Sequence, residues 1–211
     1  MASVGVKEFL TKIAKSGGMA YSNTYEVKFQ TPGATLNQEL QKAGFNAGKD
    51  AEEMFTLLCE EASLPGMMAS TGQTTGRYLG EGQVNYAHTK MFQELTLGWT
   101  CDANLTPLRY LNAWMRAIFN EKNGAADAQP GRYTTTRLNY PNDYMCRTMT
   151  IIKGERNAGD TLGRVAGKYT FNEVWPYSIV STPVSYGSST LLKVSASFHY
   201  RNWAFEGYSP N

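Results

Sequence analysis

The amino-acid sequence predicts a mainly β protein with a single flanking α-helix. Three observations carry that prediction. The stretch from Lys168 to Trp203 alternates with a period of two: Tyr169, Phe171 and Glu173 against Lys168, Thr170 and Asn172, then Leu192, Val194, Ala196, Phe198 and Tyr200 against Lys193, Ser195, Ser197 and His199. Alternation in β-branched and aromatic residues marks half-buried strands. The chain is also rich in turn formers and aromatics, with 20 glycines and 13 tyrosines, yet only 18% of it is charged. That balance suits a β fold whose surface is partly covered by neighbours, and equally a β-sandwich with many turns. Finally, only the segment Pro107 to Phe119 carries a full set of helix signals.

Taken in order, Val4 to Lys15 reads as an amphipathic helix with Val6, Phe9, Leu10 and Ile13 on one stripe, stopped by Ser16-Gly17-Gly18. Asn23 to Thr31 reads as a strand, with Tyr25, Val27 and Phe29 alternating with Thr24, Glu26 and Lys28. Pro32 to Asp50 reads as a long loop that could hold a helical fragment, Leu36 to Phe45. Met54 to Leu64 fits both periods and is assigned to a strand; Ser70 to Gly76 is a polar loop. Alternation returns from Arg77 to Tyr86, and a further strand runs from Phe92 to Cys101 after His88-Thr89-Lys90. Thr106 is the expected N-cap of the long helix, with Pro107 at its first position, where a missing N–H costs nothing. Its stripe of Leu108, Leu111, Met115 and Ile118, joined by Trp114 and Phe119, must pack across the strands. Residues 120–131 read as a loop. Strands Tyr133–Tyr140 and Tyr144–Lys153 are expected to meet in a hairpin at Pro141-Asn142-Asp143, before a polar loop from Gly154 to Gly163. Three strands then close the chain, broken at Trp175-Pro176 and at the Tyr186–Ser189 turn.

At 211 residues the chain is expected to form one domain, 1–211. Its parts are an N-terminal helix and arm (1–22), a long loop insertion (31–53), the flanking helix (106–120) and the C-terminal strands (165–203).

Little in the sequence points to chemistry. Its 20 basic and 18 acidic residues give a net charge of +2 with no basic run, so there is no concentrated footprint for holding nucleic acid. Gly72 to Gly76 lacks the Lys-Ser/Thr ending of a phosphate-cradling loop, and Gly80 to Asn85 lacks the third glycine of a dinucleotide fingerprint. His88 and His199 have no Cys or carboxylate at ligand spacing. Glu60 and Glu61, adjacent on a strand, would point to opposite faces and could not share a substrate. No catalytic, cofactor-binding or metal-binding residue and no small-molecule ligand is therefore expected, and the chain is not expected to be an enzyme. Cys59, Cys101 and Cys146 are expected to be buried free thiols in a reducing compartment. The absence of an apolar leader or membrane-length run points to a cytoplasmic site of synthesis.

Two segments carry a resemblance. Phe55 to Gly66 (FTLLCEEASLPG) resembles the strand and Leu-Pro corner of tail tube proteins of contractile-tailed, myovirus-type bacteriophages. Phe171 to Pro176 (FNEVWP), followed after Pro183 by Leu191 to Trp203, resembles the end of the same family, and Gly17 to Val27 is similar to its opening. The order between them, a strand pair, one helix and a hairpin, also agrees.

The resemblance implies a small β-sandwich or barrel whose inner strands join between subunits into a hexameric ring barrel. Such rings stack into the inner tail tube through which the genome passes. It implies a virion tail component assembled in the bacterial host cytoplasm. Expected partners are the sheath, baseplate tube initiator, tape measure and tail terminator, with double-stranded DNA in transit. Baseplate tube initiators and the tube protein of type VI secretion share the fold, so the resemblance implies a class of tube; a β-sandwich binding module is the alternative outside that class. Thr170, Asn172 and Ser178, or Ser195 and Ser197, are candidates for the lumen, with plain solvent exposure as the competing reading; residues 31–50 and 65–76 are candidates for contacts between rings.

Overall fold

The computed structural model describes residues 5–15, 18–45, 51–75, 82–119, 138–157, 160–180, 183–184, 186–187 and 190–207. Its spine is β7 (Asp160–Ile179), a strand of 20 residues. Strand β6 (Cys146–Asn157) lies along one edge of β7, pairing as far as Val174. The other edge is shared: β9 (Asn202–Gly207) covers Gly167 to Asn172, and β8 (Lys193–His199) covers Trp175 to Ile179. The chain bends between β8 and β9 opposite Glu173, a non-glycine residue at φ 56°. Left-handed backbone costs about 1–2 kcal/mol there. The bend is fixed by the Arg201 N–H on the Asn172 carbonyl at 3.0 Å and by an Arg201–Glu173 ion pair at 2.9 Å.

Because β7 changes partners along its length, it belongs to two layers. The first is β1 (Tyr25–Pro32), β6, β7 and β9; the second is β2 (Cys59–Ala62), β5 (Leu95–Thr100), β8 and the end of β7. Val27, Phe29, Met149, Ile151 and Phe171 from the first layer face Leu95, Leu97, Trp99, Val194, Ala196 and Phe198 from the second, all buried. Helix α4 (Thr106–Phe119) closes the gap as expected, its Trp114 ring 5.5 Å from Phe29 and 5.9 Å from Phe198.

Several elements differ from the sequence reading. The helical fragment allowed at Leu36–Phe45 is present as α2 (Ala34–Lys42), but a further helix, α3 (Ala51–Leu57), begins within the expected 31–53 insertion and runs just beyond it. Leu36 and Leu40, one turn apart, are buried on α2, which packs against α4. The strand assigned to Met54–Leu64 is helical as far as Leu57 and extended only from Cys59. Local helical spacing wins because it stacks Phe55 between Trp99 and Tyr110, ring centroids 4.7 and 4.1 Å away. The expected polar loop at Ser70–Gly76 is largely strand: β3 (Met67–Thr74) pairs with β4 (Val84–Phe92) as a ribbon, so His88-Thr89-Lys90 lies inside a strand. Thr106 lies inside α4, and Asp102 caps it, accepting the Thr106 N–H at 2.6 Å and its hydroxyl at 2.8 Å.

Pro141-Asn142-Asp143 is not a hairpin turn but belongs to the helical turn α5 (Pro141–Tyr144). Gly33 lies so close to α5 that a Cβ would come within 2.3 Å of the Asp143 carbonyl. Of the strand expected at Tyr133–Tyr140, residues 138–140 are not strand and the rest lies outside the described residues, as do the 120–131 loop and Ser188-Ser189. The expected loop at Gly154–Gly163 is mostly strand, with β6 running to Asn157 and β7 starting at Asp160. Pro176 does not break β7. It lies beyond the last β6 pair, and the register against β8 shifts just after it, where a missing N–H is tolerated.

Candidate assembly surface

The outward face of the first layer is a grid set by register. Glu26, Ile152, Lys168 and Glu206 form one row; Lys28, Thr150, Thr170 and Ala204 the next; Gln30, Thr148, Asn172 and Asn202 a third. The face is polar, and its charges cancel. Lys28 pairs with Glu26 at 2.9 Å, Lys168 stands 3.9 Å from Glu206, and Asn172 donates to Asn202 at 2.7 Å. Thr150 is buried, and among the described residues its hydroxyl and that of Thr170 have no hydrogen-bond partner. One end of the grid opens into a cleft of ≈ 500 Å³ bearing Arg147, Arg201 and Glu173.

The layer is open on both sides. Among the described residues no ladder covers the outer edge of β1 or of β9. Neighbouring strands are antiparallel throughout, so β1 and β9 also run in opposite directions. The remaining end of the strand path, β2, is protected differently: it has four residues, a register shift and the adjacent charges Glu60 and Glu61. Short, bulged, charged edges resist pairing with other chains. Strands β1 and β9 are longer, eight and six residues, and pair without a register shift, and the charges they carry, Glu26, Lys28 and Glu206, are paired within the sheet. Strands β1 and β2 share no ladder, and the Tyr25 hydroxyl donates to the Cys59 backbone carbonyl at 3.2 Å.

The β3–β4 ribbon is the second exposed feature. Met68, Val84, Tyr86 and Met91 share one of its faces, all exposed. Its base is held to the body by the Lys90 ammonium, 4.8 Å from the Phe92 ring and 5.8 Å from Trp203, and by Phe92 against Tyr200. A lone two-stranded ribbon is marginal in water.

The expected lumen residues divide between two surfaces. Thr170 and Asn172 lie on the grid. Ser178, Ser195 and Ser197 lie on the outward face of the second layer, so one bore cannot take both sets. Glu60 and Glu61 do not point to opposite sides, because the register shift in β2 turns both toward one shallow depression. Glu60 is engaged there by Lys193 at 2.8 Å and Thr100 at 2.5 Å; these bonds hold its carboxyl below the ordinary glutamate value. Among the described residues, no three His, Cys, Asp or Glu side chains form a metal-holding group. All three cysteines are free, but only Cys146 is buried as expected; Cys59 and Cys101 are half-buried, and desolvation pushes the Cys59 thiol up to about 12. Sequence reasoning missed the β1 and β9 parts of the grid. Glu26, Lys28 and Gln30 alternate visibly, but β9 falls largely beyond the point where the last strand was taken to end.

The body is thus an open four-stranded layer with a charge-balanced outward face, backed by a second, helix-capped layer. The same fold occurs in subunits of contractile injection systems. The chain is similar to a protein in the anti-feeding prophage baseplate (12% identity, TM-score 0.55, covering 90% of this chain and 97% of the other). It is similar to one in a sheath–tube complex of an extracellular contractile injection system (10% identity, TM-score 0.53, covering 98% and 100%). A third is in the tube-terminating cap of the anti-feeding prophage (10% identity, TM-score 0.53, covering 90% and 92%). No curated protein matches in sequence. The family model for phage tail tube proteins matches residues 20–206, and the chain belongs to that family. It is thus a structural protein of the viral tail.

Proposed function

We propose that copies of this subunit close into a hexameric ring in which β1 of one pairs antiparallel with β9 of the next. The carrying observation is the first layer itself: two unpaired, unbulged edges of opposite direction on one polar, charge-balanced sheet. Head-to-tail pairing about an axis closes when the rotation divides evenly, and strands of alternating direction then continue around the ring without a parallel seam. The grid faces the bore. Rings stack into the inner tail tube, with the β3–β4 ribbon supplying contacts between copies. Residues 34–42 spend their apolar side on their own α4, which leaves the ribbon as the stronger of the two segments expected to make those contacts. Double-stranded DNA passes the bore without being held, because phosphate affinity grows with each cation engaged and the grid's cations are matched by anions. The tube is assembled in the bacterial host cytoplasm with sheath, baseplate tube initiator, tape measure and terminator.

Electron microscopy of the concentrated protein, coupled to hydrogen exchange, tests this reading. Rings or tubes are expected, with slowed amide exchange in Tyr25–Pro32 and Asn202–Gly207 and unchanged exchange in Cys59–Ala62. Dispersed particles, or rings that leave β1 and β9 unprotected, would refute it.

A further inference from the structure

Helix α1 (Val6–Lys15) has no buried residue, although Val6, Phe9 and Leu10 make an apolar stripe at helical spacing. They are 75%, 52% and 58% exposed. The helix also lies before residue 20, where the family match begins. A second exposed apolar feature stands at the corner of β7 and β9. The Tyr169 ring packs 5.8 Å from Trp203 and 4.8 Å from Phe205, and Phe205 is 53% exposed. Phe205 lies flat over Gly167, where a Cβ would come within 2.6 Å of its ring.

We propose that α1 of one subunit seats on the Tyr169–Trp203–Phe205 shelf of the subunit beside it, latching the seam between them. The proposal rests on the ring reading, since the neighbour is the one whose β9 pairs with β1. Register supplies the geometry. Tyr25, Lys153, Gly167 and Gly207 lie in one row, so β1 starts and β9 ends at the same end of the layer. The arm is pinned at that end, the Tyr21 N–H on the Glu155 carboxylate at 3.2 Å and the Thr24 hydroxyl on the Gly154 carbonyl at 2.6 Å. The Gly18 N–H bonds the Ile13 carbonyl at 2.9 Å, so only the span from Gly18 to Tyr21 ties α1 to this anchor, a reach of about 10 Å. From β1, the subunit's own β9 is three strand spacings away, roughly 14 Å. A neighbour's paired β9 is one spacing away, roughly 5 Å. The nearest shelf is therefore the neighbour's, and docking covers both apolar features at once.

The test uses the full chain carrying Phe9→Cys together with Phe205→Cys. Mild oxidation of assembled rings is expected to give a ladder of covalent multimers on a non-reducing gel, which neither single variant gives. Rings without a ladder, or an internally bonded monomer alone, overturn the latch while leaving the ring intact. Failure of the unaltered protein to form rings overturns both. As a second measurement, Phe9→Ser with Leu10→Ser removes only exposed groups. It is expected to keep the monomer's melting temperature and raise the concentration for ring assembly about tenfold or more; an unchanged assembly concentration overturns the latch.

Discussion

Phe29 of β1 and Phe198 of β8 face each other across the core, ring centroids 5.8 Å apart, and so tie the layer with the open edges to the layer that backs it. Trp114 of α4 touches both rings. Truncating Phe198, which is fully buried, leaves a cavity that two sheets and a helix cannot collapse together. Phe198→Ala is expected to cost about 3–5 kcal/mol, read by denaturant unfolding of the monomer.

The same cluster shows what the sequence could and could not reveal. Phe198 was legible because its strand alternates cleanly and ends in aromatics. The long helix was legible because Pro107 and the apolar stripe of α4 agree locally. Phe55 was not: its neighbours satisfy both helical and strand spacing, and only Trp99 and Tyr110, distant in sequence, decide between them. The β3–β4 ribbon was half hidden because neither strand buries a core face, so polar residues at Ser70–Thr74 looked like a loop. The assembly face was half legible. Thr170 and Asn172 were found by period, but a period of two cannot say which of two sheets a polar face belongs to. Hence Ser178, which pairs with Ser197 on the second layer, shares the period of Thr170 and Asn172 but not their face.

Thr150 is 3% exposed and its hydroxyl lacks a partner. A buried hydroxyl that has lost water and gained no acceptor costs about 1–3 kcal/mol. Thr150→Val keeps the shape and removes that cost, and is expected to stabilise the monomer by about 1 kcal/mol in thermal or denaturant unfolding.

Asp102 gives α4 its acid sensitivity. The Thr106 backbone N–H, then its hydroxyl, hold the Asp102 carboxyl below the ordinary aspartate value in the folded chain. A depressed folded value means that its stabilisation is present above the unfolded aspartate range and is lost as pH falls through the lower, folded value. Asp102→Asn is expected to lower the melting temperature at neutral pH and to flatten the fall in melting temperature on acidification. Glu60, lowered by Lys193 and then Thr100, adds to the slope in the same direction.

Glu155 fixes the arm to the end of β6. It is 7% exposed, accepts the Tyr21 N–H, and pairs with Lys153 at 2.6 Å. Lys153 also donates to Thr24 and to the Gly154 carbonyl, so the ammonium keeps partners when the carboxylate is removed. The loss is therefore smaller than for a fully isolated buried charge: Glu155→Gln is expected to cost about 2 kcal/mol and to speed amide exchange at residues 21–24.

The assignment of the grid to the bore makes a prediction that separates the two outward faces. Asn202 lies on the grid and Ser195 on the opposite side of the sandwich, and neither is buried. Replacing either by lysine adds one cation per subunit without touching the core. On the grid those cations accumulate around a channel, where neighbouring subunits bring them close and low-dielectric walls focus their field. On the second layer they are dispersed over the outside of the tube. Tubes carrying Asn202→Lys are expected to retain double-stranded DNA in filter binding at low salt and release it as salt rises, since each phosphate contact steepens the salt dependence. Tubes carrying Ser195→Lys are expected to behave nearly as the parent. Stronger retention by Ser195→Lys than by Asn202→Lys would put the second layer at the bore and reverse the orientation of the subunit in the ring.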